Sequence, residues 1–94
     1  MKKITMFYLE DCPYCKSAFR ALEELKALNP AYAEIEMECI DEHTHMDIAE
    51  QYDYQSVPTL YVGENKIYEA YFGHSYDTIY ENVKRALDAA LTGT

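Results

Sequence analysis

The segment Asp11-Cys12-Pro13-Tyr14-Cys15-Lys16 follows a compact apolar run, Ile4 to Leu9, and opens a helical pattern. An apolar run without alternation predicts a strand buried on both faces. From Pro13 to Leu28 the positions Cys15, Phe19, Leu22 and Leu25 recur at helical spacing, with Arg20, Glu23, Glu24 and Lys26 outside. Pro13 suits the first helical position, where its missing N–H costs nothing. The order is therefore strand, turn, two thiols, helix. A cysteine at a helix start meets unpaired backbone N–H groups and the positive end of the helix dipole, which favour thiolate over thiol. Cys15, one turn on, lies on the same helix face and can attack a mixed disulfide formed by Cys12. The segment is built for disulfide exchange.

Beyond it, Asn29-Pro30 stops the helix. Glu34 to Ile40 alternates, with Ile35, Met37 and Cys39 on one face and Glu34, Glu36 and Glu38 on the other. That pattern predicts a half-exposed strand at a sheet edge and places Cys39 in the core. Asp41 to Tyr52 reads as a short second helix starting near Thr44. Ser56-Val57-Pro58 is a loop leading into a strand at Thr59 to Val62, and Glu64-Asn65 turns into a fourth strand at Lys66 to Phe72. After Gly73-His74-Ser75 a final helix carries Ile79, Val83, Ala86, Leu87 and Ala90 on one stripe. Tyr8, Tyr61 and Tyr68 are expected in the sheet core, and His43, His45 and His74 at the surface. The order βαβαββα predicts an α/β fold with a four-stranded mixed sheet and helices on both faces. Alternation with helices predicts that the first three strands are parallel, and the tight turn makes the last two antiparallel. The first helix would then begin at the carboxyl end of a central strand, where open α/β sheets present their sites.

A chain of 94 residues, 49% of them hydrophobic, holds one domain with an ordinary core. The net charge of −9 argues against nucleic acid and anionic membrane surfaces as partners. The apolar run behind Met1-Lys2-Lys3 stops at Glu10-Asp11, short of a signal-peptide core, so the expected location is cytoplasmic. In a reducing compartment three cysteines point to redox or metal chemistry rather than a structural disulfide. A tetrahedral zinc needs four ligands. Cys39, His43 and His45 belong to the far end of the second strand and its loop, and their spacing matches no standard finger, so dithiol exchange is preferred to zinc. An iron–sulfur cluster shared between two chains is a further alternative using the same cysteines.

Over nearly its whole length the chain resembles the thioredoxin superfamily, and its motifs look like those of glutaredoxins. Cys12-Pro13-Tyr14-Cys15 is the dithiol sequence associated with glutaredoxins. Val57-Pro58-Thr59 matches the loop that in this superfamily carries a cis-proline beside the active thiols. Gly73-His74-Ser75-Tyr76-Asp77-Thr78 partly matches the Gly-Gly-x-x-Asp segment that opens the last glutaredoxin helix and holds glutathione. The resemblance implies a thioredoxin fold and a thiol–disulfide oxidoreductase with Cys12 as nucleophile, Cys15 as resolving thiol and Pro58 shielding them. Pro13, Tyr14, Val57, Thr59, Ser75 and Tyr76 would form the substrate surface, with Val57 offering its backbone N–H and C=O to an extended substrate. Substrates would be disulfide-containing proteins or small molecules. Electrons would come from glutathione or from a flavoprotein disulfide reductase, with no tightly bound cofactor and no metal. The chain also departs from both family patterns. Leu9, Glu10 and Asp11 stand where glutaredoxins usually carry a cation, and His74 replaces a glycine. Met6 occupies the place of the buried aspartate of thioredoxins, and there is no tryptophan.

Overall fold

In the computed structural model, which describes residues 1–93, the first apolar run forms β1 (Ile4–Tyr8), with Ile4, Met6 and Phe7 fully buried. There follow α1 (Pro13–Leu28), α2 (Pro30–Ala33), β2 (Met37–Asp41), α3 (Met46–Ala49), β3 (Thr59–Val62), β4 (Asn65–Glu69) and α4 (Tyr76–Thr92). The four strands form one mixed sheet in the order β2-β1-β3-β4, which is the expected α/β architecture. No helix among the described residues is long and apolar enough to cross a membrane.

Strand direction corrects one expectation. β2 runs parallel to β1, but β3 runs antiparallel to it, with Phe7 opposite Thr59 and Ile4 opposite Val62. The segment between β2 and β3, with the four-residue α3 in it, covers the sheet instead of crossing it: Ile48, Ala49, Tyr52 and Tyr54 pack on Phe7, Ile40 and Tyr61. The chain therefore enters β3 at the edge of the sheet where it left β2, the edge at which β1 delivers Cys12.

The sheet is covered on both faces. On one, α1 and α4 pack Leu22, Leu25, Ile79, Val83 and Leu87 against Ile4, Met6, Leu60 and Val62. On the other, Phe7, Ile40 and Tyr61 meet Ile48, Ala49, Tyr52 and Tyr54. Because α3 is so short, tyrosine rings do most of the covering there. Phe7 stacks on Tyr54 at 4.8 Å and lies 4.7 Å from Tyr52. Tyr61 and Tyr68 are buried as expected, whereas Tyr8 is half-buried.

The boundaries also move. Asn29 ends α1 and at once caps α2, its side chain accepting from the Ala31 N–H at 3.1 Å; this extra turn delays β2 to Met37. Cys39 shares a sheet face with Met6 but is exposed, because β2 is the edge strand and the helices do not cover its outer margin. β4 stops at Glu69, and Tyr71 and Phe72 leave the sheet as Gly73 turns the chain at φ +94°. Phe72 is 96% exposed.

Phe7 is the side chain on which the tyrosine layer rests, so Phe7→Ala should cost about 3–5 kcal/mol. Urea unfolding measures it, and a loss below ~1 kcal/mol would contradict a packed core on that face.

Candidate active site

The β1–α1 junction places the thiols. Cys12 is the N-cap of α1, with extended backbone (φ −85°, ψ 116°) and Pro13 immediately inside the helix. Its N–H donates to the Leu9 carbonyl at 3.3 Å, and its own carbonyl accepts the Lys16 N–H at 3.1 Å. Capping is normally the work of a serine, threonine or aspartate oxygen. Here the Cys12 sulfur does it, accepting the Cys15 N–H at 3.3 Å. That backbone amide and the helix terminus behind it favour negative charge at the sulfur.

The two thiols differ in access. Cys12 is half-buried, while Cys15 is 1% exposed. Burial pushes the Cys15 thiol up to about 12. A hydrogen bond from the Leu9 backbone opposes the shift, and the Cys12 sulfur and the Glu42 carboxylate add to it. At neutral pH Cys15 is a protonated thiol held one turn behind Cys12.

From the other side of the same edge comes the loop before β3. The Val57–Pro58 bond is cis, and the Cys12 thiol donates to the Val57 carbonyl at 3.7 Å. Thr59 is fully buried, its hydroxyl donating to the Ser56 carbonyl at 2.5 Å. Val57 is half-buried and Pro13 exposed.

Tyr14 reaches the third segment. Its hydroxyl accepts the Gly73 N–H at 2.8 Å, and the Phe72 ring meets it edge-on at 6.5 Å. His74, expected at the surface, is half-buried instead. Its Nδ1 lies 2.8 Å from the Tyr68 hydroxyl, and its ring stacks on Tyr68. His43 and His45 are exposed. Ser75 caps α4, its hydroxyl oxygen accepting the Thr78 N–H at 3.1 Å. The Tyr76 side chain is drawn elsewhere: its hydroxyl donates to Glu24 at 2.7 Å and Arg20 lies over its ring at 4.7 Å. Glu24 is ~18 Å along α1 from Cys12, so the tip of Tyr76 is remote from the thiols. The structure thus gathers Cys12, Cys15, Pro13, Tyr14, Val57 and Pro58, and leaves the side chains of Thr59 and Tyr76 engaged with the fold.

Two contacts at this edge have no signal in the sequence. One is the Tyr14–Gly73 bond. The other is Glu69, whose buried carboxylate accepts from the loop amides of Gln55 and Ser56 at 2.8 Å each. Among the described residues no group of three or more His, Cys, Asp or Glu is placed to hold a metal ion.

The fold and its dithiol edge define a thioredoxin-fold oxidoreductase. The sequence profile of the glutaredoxin family matches residues 4–67, and the chain belongs to that family. No curated protein matches the chain. Among solved structures it is similar to thioredoxin 1 from the thermophilic eubacterium Thermosipho africanus TCF52B, at 20% identity and a TM-score of 0.59, covering 98% of this chain and 99% of that one. A malarial protein is similar at 16% identity and a TM-score of 0.58, over 90% of this chain and 96% of its own. A mutant thioredoxin from Halobacterium salinarum NRC-1 follows at 18% identity and a TM-score of 0.56, over 90% of this chain and 74% of its own. At these identities the likeness is one of fold; the family assignment carries the activity, thiol–disulfide oxidoreduction.

Between the ordinary thiol value of ~8.5 and about 12, folded Cys15 keeps a proton that the unfolded chain releases. Unfolding then releases a proton, so this thiol's contribution to stability falls as pH rises through that window. In the folded, reduced protein at pH 8, iodoacetamide should label Cys12 and spare Cys15, with Cys15 labelled only after denaturation. Peptide mapping by mass spectrometry reads both sites, and equal labelling of the two in the folded state would contradict the assignment.

Proposed function

We propose that the protein reduces protein disulfides and glutathione mixed disulfides by dithiol exchange in a reducing, cytoplasmic compartment. The observation that carries this reading is the paired geometry of the thiols, with a half-buried Cys12 sulfur receiving the Cys15 amide and a buried, protonated Cys15 one turn behind. Cys12 thiolate attacks one sulfur of the substrate disulfide, the other sulfur leaves as a thiolate that takes a proton from water, and a mixed disulfide forms. Cys15 loses its proton as it attacks the Cys12 sulfur, releasing the second substrate thiol and leaving Cys12–Cys15 oxidised. Two electrons have then passed to the substrate. The substrate segment lies extended along Val57, with Pro58 offering no competing N–H and with Pro13, Tyr14 and the Ser75–Tyr76 backbone at the rim.

Glutathione is the first choice of electron donor, on the strength of the family and the Cys12-Pro13-Tyr14-Cys15 motif. A second reading, a thioredoxin-type reductase served by a flavoprotein, is favoured by two observations. Glu10 and Asp11 are exposed next to the thiols where a carboxylate ligand would want a cation. The amide of Gly73, which opens the segment resembling the glutathione-holding one, is already taken by Tyr14.

Disulfide reduction coupled in parallel to glutathione reductase and to thioredoxin reductase separates the donors. Cys12→Ser should abolish activity in both assays. Cys15→Ser should keep activity on glutathione mixed disulfides under the first reading, and should accumulate trapped partners without turnover under the second. Stoichiometric zinc or iron in purified protein that lacks reductase activity would defeat both.

A further inference from the structure

The loop that delivers Val57 is held from below by one buried carboxylate. Glu69, at the end of β4 opposite Thr59, has a side chain only 6% exposed. One of its oxygens accepts the N–H groups of Gln55 and Ser56, both at 2.8 Å. The other accepts the Lys66 ammonium at 2.7 Å. Lys66 also donates to the Asp53 carbonyl at 3.3 Å, as does the Tyr61 hydroxyl at 2.7 Å. Backbone groups of Asp53, Gln55 and Ser56 are thus tied to side chains of β3 and β4. The next residue is Val57, whose carbonyl meets the Cys12 thiol and whose N–H meets no acceptor among the described residues. Burial alone would push the Glu69 carboxyl up; Lys66 and the two amides more than reverse it, so the group stays ionised.

A buried carboxylate is an expensive way to stabilise a sheet, because its desolvation offsets much of what its partners return. β3 and β4 pair along their own ladder, which extends to the Ala70 N–H on the Pro58 carbonyl at 3.0 Å. What the carboxylate holds is the loop, and charge-assisted bonds hold it more stiffly than neutral ones.

We infer that Glu69 is a positioning residue for the substrate, fixing through the Gln55 and Ser56 amides the stance of the Val57 backbone against which an extended polypeptide disulfide is aligned. The inference rests on the proposed docking of substrate along Val57. It separates two substrate classes. A polypeptide disulfide uses the Val57 backbone and depends on Glu69, whereas a small symmetrical disulfide that touches only the thiols does not.

The test uses the full chain with Glu69→Gln and Glu69→Ala. Its readouts are KM and kcat on a linear peptide disulfide, the rate on 2-hydroxyethyl disulfide, and iodoacetamide alkylation of Cys12. Glu69→Gln is isosteric and keeps an acceptor for the loop amides while losing the charge. It should raise KM for the peptide about five- to tenfold, as a charge-assisted bond becomes a neutral one. Its kcat, small-disulfide rate and alkylation rate should stay within about twofold of the parent. Glu69→Ala should raise the peptide KM further; if it does not fold, the glutamine variant decides alone. The inference is overturned by a peptide KM that Glu69→Gln leaves unchanged. It is equally overturned if all the readouts fall together, since that is the mark of a merely structural role. An unsubstituted chain that reduces neither disulfide overturns the functional reading and the inference with it. An active parent with an indifferent Glu69→Gln overturns the inference alone.

Discussion

The antiparallel pairing of β3 with β1 is the constraint on which the site depends. Phe7 lies opposite Thr59, so the end of β1 and the start of β3 share one edge of the sheet. Cys12 follows β1 and Val57-Pro58 precede β3, and the shared edge brings a thiol to within 3.7 Å of a carbonyl 45 positions away in the chain. Were β3 parallel to β1, as alternation with helices suggested, the proline loop would open at the opposite edge, about a strand's length from the cysteines. The segment around the short α3 stays with that edge, packing on the sheet instead of crossing it. With so little helix there, Tyr52 and Tyr54 cover that face around Phe7.

Much of this was legible from pattern, and the failures have physical reasons. β1, α1, β3 and α4 announce themselves because each buries a full stripe or both faces, so periodicity and burial coincide. The thiol pair and the Val57-Pro58 loop are legible as motifs. Strand direction was not, since the Asp41–Tyr52 stretch reads as a crossover helix, whereas only Met46–Ala49 are helical and the segment packs on one sheet face without crossing. Cys39 alternates correctly yet lies exposed, because alternation reports which face a residue occupies and not whether a helix reaches that part of the face. His74 was read as a polar surface residue; stacking on Tyr68, a contact across a turn, takes it in.

The two cysteines are chemically unlike although their sequence context is nearly shared. A difference of one helical turn moves Cys15 into the interior, where burial holds its proton, and leaves Cys12 at the helix mouth with an amide on its sulfur. No cation is needed for that division of labour. This matters in a chain of net charge −9 whose active-site approach carries Glu10 and Asp11. Exposed carboxylates interact weakly through water, whereas an amide in contact with the sulfur acts at hydrogen-bond distance.

The groups that hold the site are less visible in sequence than the groups that form it. The cysteines and the proline stand in recognisable motifs, while Glu69 reads as an ordinary strand residue and Tyr14 as a rim residue whose bond to Gly73 has no signal. Both act through backbone amides of other segments, Glu69 on Gln55 and Ser56 and Tyr14 on Gly73. Contacts of that kind leave no pattern in the chain, because the amide they engage is present at every residue but proline. The dithiol chemistry is thus carried by residue identity. The stance of the Val57 loop, by contrast, is a matter of backbone position, held by the Glu69 carboxylate through the Gln55 and Ser56 amides.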